Sequence, residues 1–151
     1  MRIKISFLSS LLFLIFLGGC NINNDQLPSY GSKNNYEYTF IITTTSGTAS
    51  MLLNAKTDGE EVLLNNKEKS ESTPAQFYIR IGEGETKRYI VSSKAAKRYS
   101  VEVRIEPSNV KGYWKFEERV NGKLVKTDRY QFNLNGRDEK HSITYHSSTI
   151  D

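Results

Sequence analysis

Cysteine appears once in this 151-residue chain, proline three times and histidine twice. A lone cysteine forms no internal disulfide, and it leaves no Cys/His arrangement for a structural zinc. The two histidines, His141 and His146, stand five positions apart. In a strand that spacing puts them on opposite faces, where they cannot chelate one metal together. There is no G-x-S-x-G elbow for a serine nucleophile. The stretch GEGETK, 82–87, lacks the spacing and following helix of a P-loop and reads as a turn. Glu117 and Glu118 are adjacent, so in a strand they diverge, the wrong geometry for a paired acid and base. No catalytic, cofactor-binding or metal-ligating set is expected, and the chain reads as a non-enzyme. No apolar run approaches the roughly 20 residues that span a bilayer.

The single cysteine is placed oddly for a structural residue. Cys20 follows Gly18 and Gly19 at the end of an apolar run, Leu11 to Leu17, and precedes the polar Asn21. Arg2 and Lys4 give a short basic segment before that run. A basic start and a short apolar stretch are the flanks of a secretory signal rather than of a membrane helix. The residues Leu17-Gly18-Gly19-Cys20 resemble the lipobox of bacterial lipoproteins. The resemblance implies a signal peptide over 1–19, a diacylglyceryl group on the Cys20 sulfur, cleavage before Cys20 and acylation of the new N-terminus. Several acyl chains hold a protein to a membrane stably, each buried CH₂ contributing about 0.8 kcal/mol, whereas one chain holds only marginally. Asn21 after the cysteine, in place of Asp, implies the outer membrane of the cell envelope. A surface-export signal would need Lys and acidic residues close after the cysteine, and 21–25 offers only Asp25.

The leader also carries part of the charge. The whole chain has 21 Lys+Arg against 17 Asp+Glu, and without Arg2 and Lys4 the cations number 19. So small a surplus is not a nucleic-acid signature, and no nucleic-acid partner is expected.

Residues 20–35 are polar, contain Pro28 and Gly31, and show no period; they read as a lipidated N-terminus and flexible tether. The remaining 36–151 match the size of one domain. That domain reads as all-β. In 36–44, Tyr36, Tyr38, Phe40 and Ile42 share one face; in 98–106, Tyr99, Val101, Val103 and Ile105 alternate with Ser100, Glu102, Arg104 and Glu106. Period-two alternation marks strands with one buried face. Further strands are expected in SMLLNA, EVLLNN, AQFYIRI, KRYIVSS and KHSITYH, separated by turns at Ser46-Gly47, Asp58-Gly59, Gly82 to Gly84, Asn121-Gly122 and Asn135-Gly136. SSKAAKR, 92–98, makes one helical turn at most. Eight or nine short strands at this spacing predict a single antiparallel β-sandwich. The pattern looks like the Ig-like or transthyretin-like domains of small envelope lipoproteins.

Asn121-Gly122 signals a two-residue type I′ hairpin with Val120 facing Lys123. Counting outward pairs Glu117 with Lys126 and Lys115 with Asp128, and gathers Trp114, Phe116 and Val125 on the other face. Tyr130, Phe132 and Leu134 then have the wrong parity for burial. Either a bulge near Thr127 to Arg129 restores them to the core, or the strand passes from a wet edge to a covered region.

Two features suggest binding. Lys94, Lys97 and Arg98, with Lys87 and Arg88, form a basic knob if the flanking strands are neighbours. Tyr78, Tyr113 and Tyr130 have outward parity, and an exposed tyrosine group stacks on sugar or anchors a protein partner. The expected function is a membrane-anchored, non-catalytic binding or scaffold module with an envelope protein or glycan partner. LLNNKEKSESTPAQFYIRI, 63–81, is similar to the Asn-loop, Pro and strand of small sandwich lipoproteins in type VI secretion systems, which implies an accessory of a secretion or conjugation apparatus. The alternative is an exported inhibitor acting on a hydrolase such as lysozyme.

Overall fold

The computed structural model describes residues 32–136 and 141–148. The expected signal peptide, Cys20 and most of the tether lie outside these residues. Ten strands follow in order: β1 Asn34–Ser46, β2 Ala49–Thr57, β3 Val62–Leu64, β4 Glu68–Lys69, β5 Ala75–Ile81, β6 Thr86–Ala96, β7 Tyr99–Ile105, β8 Val110–Val120, β9 Lys123–Leu134 and β10 His141–His146. They form a six-stranded sheet, β4-β3-β6-β1-β8-β9, and a four-stranded sheet, β10-β7-β2-β5. Every pairing is antiparallel. The fold is the all-β, two-sheet arrangement that the alternation predicts. The first strand starts at Asn34, two residues inside the segment assigned to the tether.

Aromatic side chains join the two sheets. Tyr38 of β1 meets Tyr99 of β7 edge-on at 4.7 Å between ring centres, and Phe116 of β8 stacks on Tyr145 of β10 at 3.9 Å. Trp114 Nε1 donates to the Tyr145 hydroxyl at 2.7 Å, so the indole is buried with its one donor satisfied. Tyr36, Tyr38, Phe40 and Ile42 are all buried, as are Tyr99, Val101, Val103 and Ile105. Both strands present to the opposite sheet the face that their period marks.

Turn chemistry sets the connections. Asn121 and Gly122 both take positive φ, 51° and 83°, as a type I′ turn requires, and Val120 faces Lys123. EVLLNN is strand only to Leu64; Asn65 and Asn66 turn left-handed, φ 51° and 59°, which asparagine tolerates better than most residues. SSKAAKR makes no helical turn: β6 continues to Ala96, with only Ala95 left-handed at φ 52°.

The β8–β9 ladder departs from simple counting. Arg119 faces Leu124 but Glu118 faces Lys126, so Val125 is the extra residue of a bulge. The bulge lies two residues before the expected stretch. It removes the Glu117–Lys126 and Lys115–Asp128 pairs, and Glu117 instead bonds Lys115 at 2.7 Å and Arg119 at 3.1 Å on its own strand. It also turns Tyr130, Phe132 and Leu134 toward the core. Lys126 and Asp128, which share that parity, stay exposed. The smaller sheet therefore covers only the second half of this edge strand, and both expected explanations hold at once.

Candidate functional site

The chain enters the fold at one end of the sandwich, and several termini converge there. Asn34 faces Ala96, Tyr36 faces Val120, Thr57 faces Tyr99 and Ser100 faces His146. The start of β1, the β6–β7 turn, the β8–β9 turn, the β2–β3 loop and the end of β10 thus share that end. The point of entry is tied down: Asn121 Nδ2 donates to Asn34 Oδ1 at 2.9 Å, Asn35 N donates to Asn121 Oδ1 at 2.9 Å, and Ala95 N donates to Asn35 Oδ1 at 3.2 Å.

Asp58 organises the neighbouring turn. Its Oδ1 accepts from the backbone N–H of Lys97 at 2.8 Å and of Arg98 at 2.9 Å, and its Oδ2 lies 3.5 Å from Arg98 Nε. The Arg98 N–H is the first reason that its carboxyl is held below the usual carboxylate range. Gly59 leaves room for this loop, for a Cβ there would sit 2.4 Å from the Lys94 carbonyl oxygen and 2.7 Å from Ala96 Cα.

Behind the turn the core is aromatic and partly polar. Tyr99 stacks on Tyr36 at 5.7 Å, and Tyr38 donates to the Tyr99 carbonyl at 3.5 Å. Glu118, fully buried, accepts from Ser148 N at 2.9 Å and Ser148 Oγ at 2.6 Å. Burial, and next the Glu118 charge, push the Tyr38 phenol far above its ordinary range. Glu118 therefore clasps the segment after β10, and Glu117 points outward, as adjacency predicts.

Two open grooves flank the β2–β3 loop. One, of about 500 Å³, runs past Glu61, Lys69, Ser70, Ser72 and Pro74. The other, of about 480 Å³, is lined by Lys56, Arg98, Ser100 and His146 among others. Lys56, Ser100 and His146 form one cross-strand row on the outside of the smaller sheet. Parity alone marks Lys56 and Ser100 as outward, but nothing in the sequence reveals that β2, β7 and β10 are neighbours.

The expected binding residues separate. Lys94, Lys97 and Arg98 are exposed at this end, yet not for the reason expected. β6 and β7 do not pair; they belong to different sheets, and the Lys97-Arg98 turn is a crossover between layers. Lys87 and Arg88 are drawn away, facing Ile42 and Ile41 near the other end of β6. Tyr78 is 76% exposed on the edge strand of the smaller sheet. Tyr113 lies on the outside of the larger sheet with the Arg129 guanidinium 4.5 Å over its ring. Tyr130 faces inward, 4.5 Å from Trp114, because the bulge at Val125 reverses its parity. The three tyrosines form no single patch. His141 and His146 diverge on β10, His141 beside Tyr130 at 5.8 Å and His146 outside.

No family model and no curated protein matches the chain. Among solved structures, a DUF4425 domain of unknown function from Bacteroides vulgatus superposes with a TM-score of 0.57 at 6% identity, over 79% of this chain and 98% of that one. A protein from Parabacteroides distasonis, solved by NMR in its calcium-bound form, superposes with a TM-score of 0.56 at 13% identity, over 80% and 98%. At such identities the likeness shows a shared all-β fold.

Proposed function

We propose that this chain is a lipoprotein of the bacterial cell envelope, attached through lipid on Cys20, whose β-sandwich is a non-catalytic binding or scaffold module, in the outer membrane and as an accessory of a secretion or conjugation apparatus. The observation that carries the proposal is the run Leu17-Gly18-Gly19-Cys20, followed by a polar segment that leads within fourteen residues into β1. Three carboxylates of the domain support a scaffold reading, since they serve the fold. Asp58 caps a turn, Glu118 clasps Ser148, and Glu102 accepts from Ser142 at 2.5 Å and Asn54 at 3.2 Å. The calcium of the Parabacteroides distasonis protein is a property of that protein and forms no part of the proposal.

The test is crosslinking of intact envelopes, with capture of the native protein and of Cys20→Ala followed by mass spectrometry. The expected result is a defined set of envelope proteins that the Cys20→Ala variant loses. Retention of one hydrolase as the sole partner in both would replace the scaffold with an inhibitor.

A further inference from the structure

We propose that the end of the sandwich bearing the Lys97-Arg98 turn is a contact surface for anionic lipid headgroups of the membrane to which the chain is attached. The proposal rests on the lipoprotein reading for its geometry and on the charge of this end for its chemistry.

The chain outside the domain leaves from this end. Fourteen positions separate Cys20 from Asn34. A polar segment of that length has a root-mean-square reach of roughly 20 Å. Because Asn34 and Asn35 are bonded to Asn121 and Ala95, the leash starts at the end of the sandwich rather than along a side. That end therefore faces the anchor, and a flexible leash lets it swing to within the screening length of about 8 Å.

The charge there is of one dominant sign. Lys33, Lys56, Lys94, Lys97 and Arg98 are all exposed. Asp58 is turned onto the Lys97 and Arg98 N–H groups, and Glu61 is matched by Lys69 at 2.5 Å. Glu60 and Glu71 remain exposed; the Glu60 N–H donates to the Lys94 carbonyl at 2.8 Å, so Glu60 stands beside Lys94, and Lys33, Lys56, Lys97 and Arg98 carry the surplus. At the opposite end Glu83, Glu85 and Glu106 stand against Arg80, Lys87, Arg88 and Lys111, with Glu85 and Lys87 paired at 2.9 Å, so among the described residues that end carries the smaller surplus. Exposed cations held near an anionic bilayer are attracted to its phosphates. The tether brings the basic end within range, and Asp58 holds the Lys97-Arg98 turn in the shape that projects both side chains.

The test uses the full chain as purified from envelopes, mixed with vesicles of phosphatidylcholine alone or of phosphatidylcholine with phosphatidylglycerol. Flotation reads attachment; the rate of lysine acylation, site by site by mass spectrometry, reads contact. In anionic vesicles Lys33, Lys56 and Lys97 are expected to react about fivefold more slowly than in neutral ones, with Lys87 and Lys111 unchanged. Salt at about 1 M should abolish the difference, and the double variant Lys97→Glu/Arg98→Glu should restore the rates of Lys33 and Lys56. Equal rates in the two lipids, or equal slowing at both ends, overturns the contact surface even if the chain floats with both vesicles. Flotation with anionic vesicles alone overturns the lipid anchor and leaves the contact surface standing. Flotation with neither overturns both.

Discussion

Phe116→Ala should destabilise the domain by about 3–5 kcal/mol, within the usual cost of deleting a buried phenyl ring. Phe116 is fully buried and stands where the sheets meet. Its ring lies 5.1 Å from Tyr38, 5.4 Å from Phe40 and 3.9 Å from Tyr145. Removing it leaves a cavity between rings anchored on two strands, β1 and β10, one in each sheet, which cannot close without moving a backbone. Small domains carry about 5–15 kcal/mol in total, so the loss is a large share. Urea unfolding should show a lower midpoint with an unchanged slope. Tyr113→Ala, one strand turn away but on the outer face, should cost about 1 kcal/mol or less. Similar costs for the two would mean that the sheets do not pack on each other as described.

Gly59→Ala should cost about 2–3 kcal/mol, near the upper end for overpacking. The added methyl would lie 2.4 Å from the Lys94 carbonyl oxygen and 2.7 Å from both Ala96 Cα and its Cβ. Two of those atoms are backbone, so relief requires the β2–β3 loop to lift away from the end of β6. Asp58 moves with it, and the N–H groups of Lys97 and Arg98 lose their acceptor. The variant should therefore be cut by trypsin after Lys97 and Arg98 faster than the parent. Gly84→Ala makes the comparison: its Cβ meets open space, and only its positive φ of 72° opposes the change, at about 1–2 kcal/mol. No change in the rate of cleavage at Lys97 in Gly59→Ala would contradict the role given to the β2–β3 loop.

The strands were legible because burial leaves a period. β5 and β7 alternate cleanly, β1 does so but for the buried Thr39, and their inward apolar residues form the core. Local turn chemistry was legible too, since Asn121-Gly122 dictates its own backbone. Partnership between strands was not. Only β3–β4 and β8–β9 are consecutive neighbours in one sheet, so the sequence order of β6 and β7 suggested a hairpin where the chain changes layers. A bulge shows only through parity: the misplaced Tyr130, Phe132 and Leu134 call for one near Thr127 to Arg129, its place at Val125 is not marked, and Tyr130 reads as outward until it is included. Glu118 carries the inward parity of Trp114 and Phe116, but a charge at that parity reads as an exception until Ser148 is seen to satisfy it. The basic residues at the end of the sandwich were found for their composition; the surface they share with Lys33 and Lys56 exists only because the fold returns five segments to one end.

The most direct test of lipid attachment is the mass of the N-terminal peptide of the protein isolated from its own membranes. The expected chain begins at Cys20 and carries acyl groups on that residue. A chain that begins elsewhere, or a Cys20 with a free thiol, would contradict it, and would leave a β-sandwich with no attachment to the envelope.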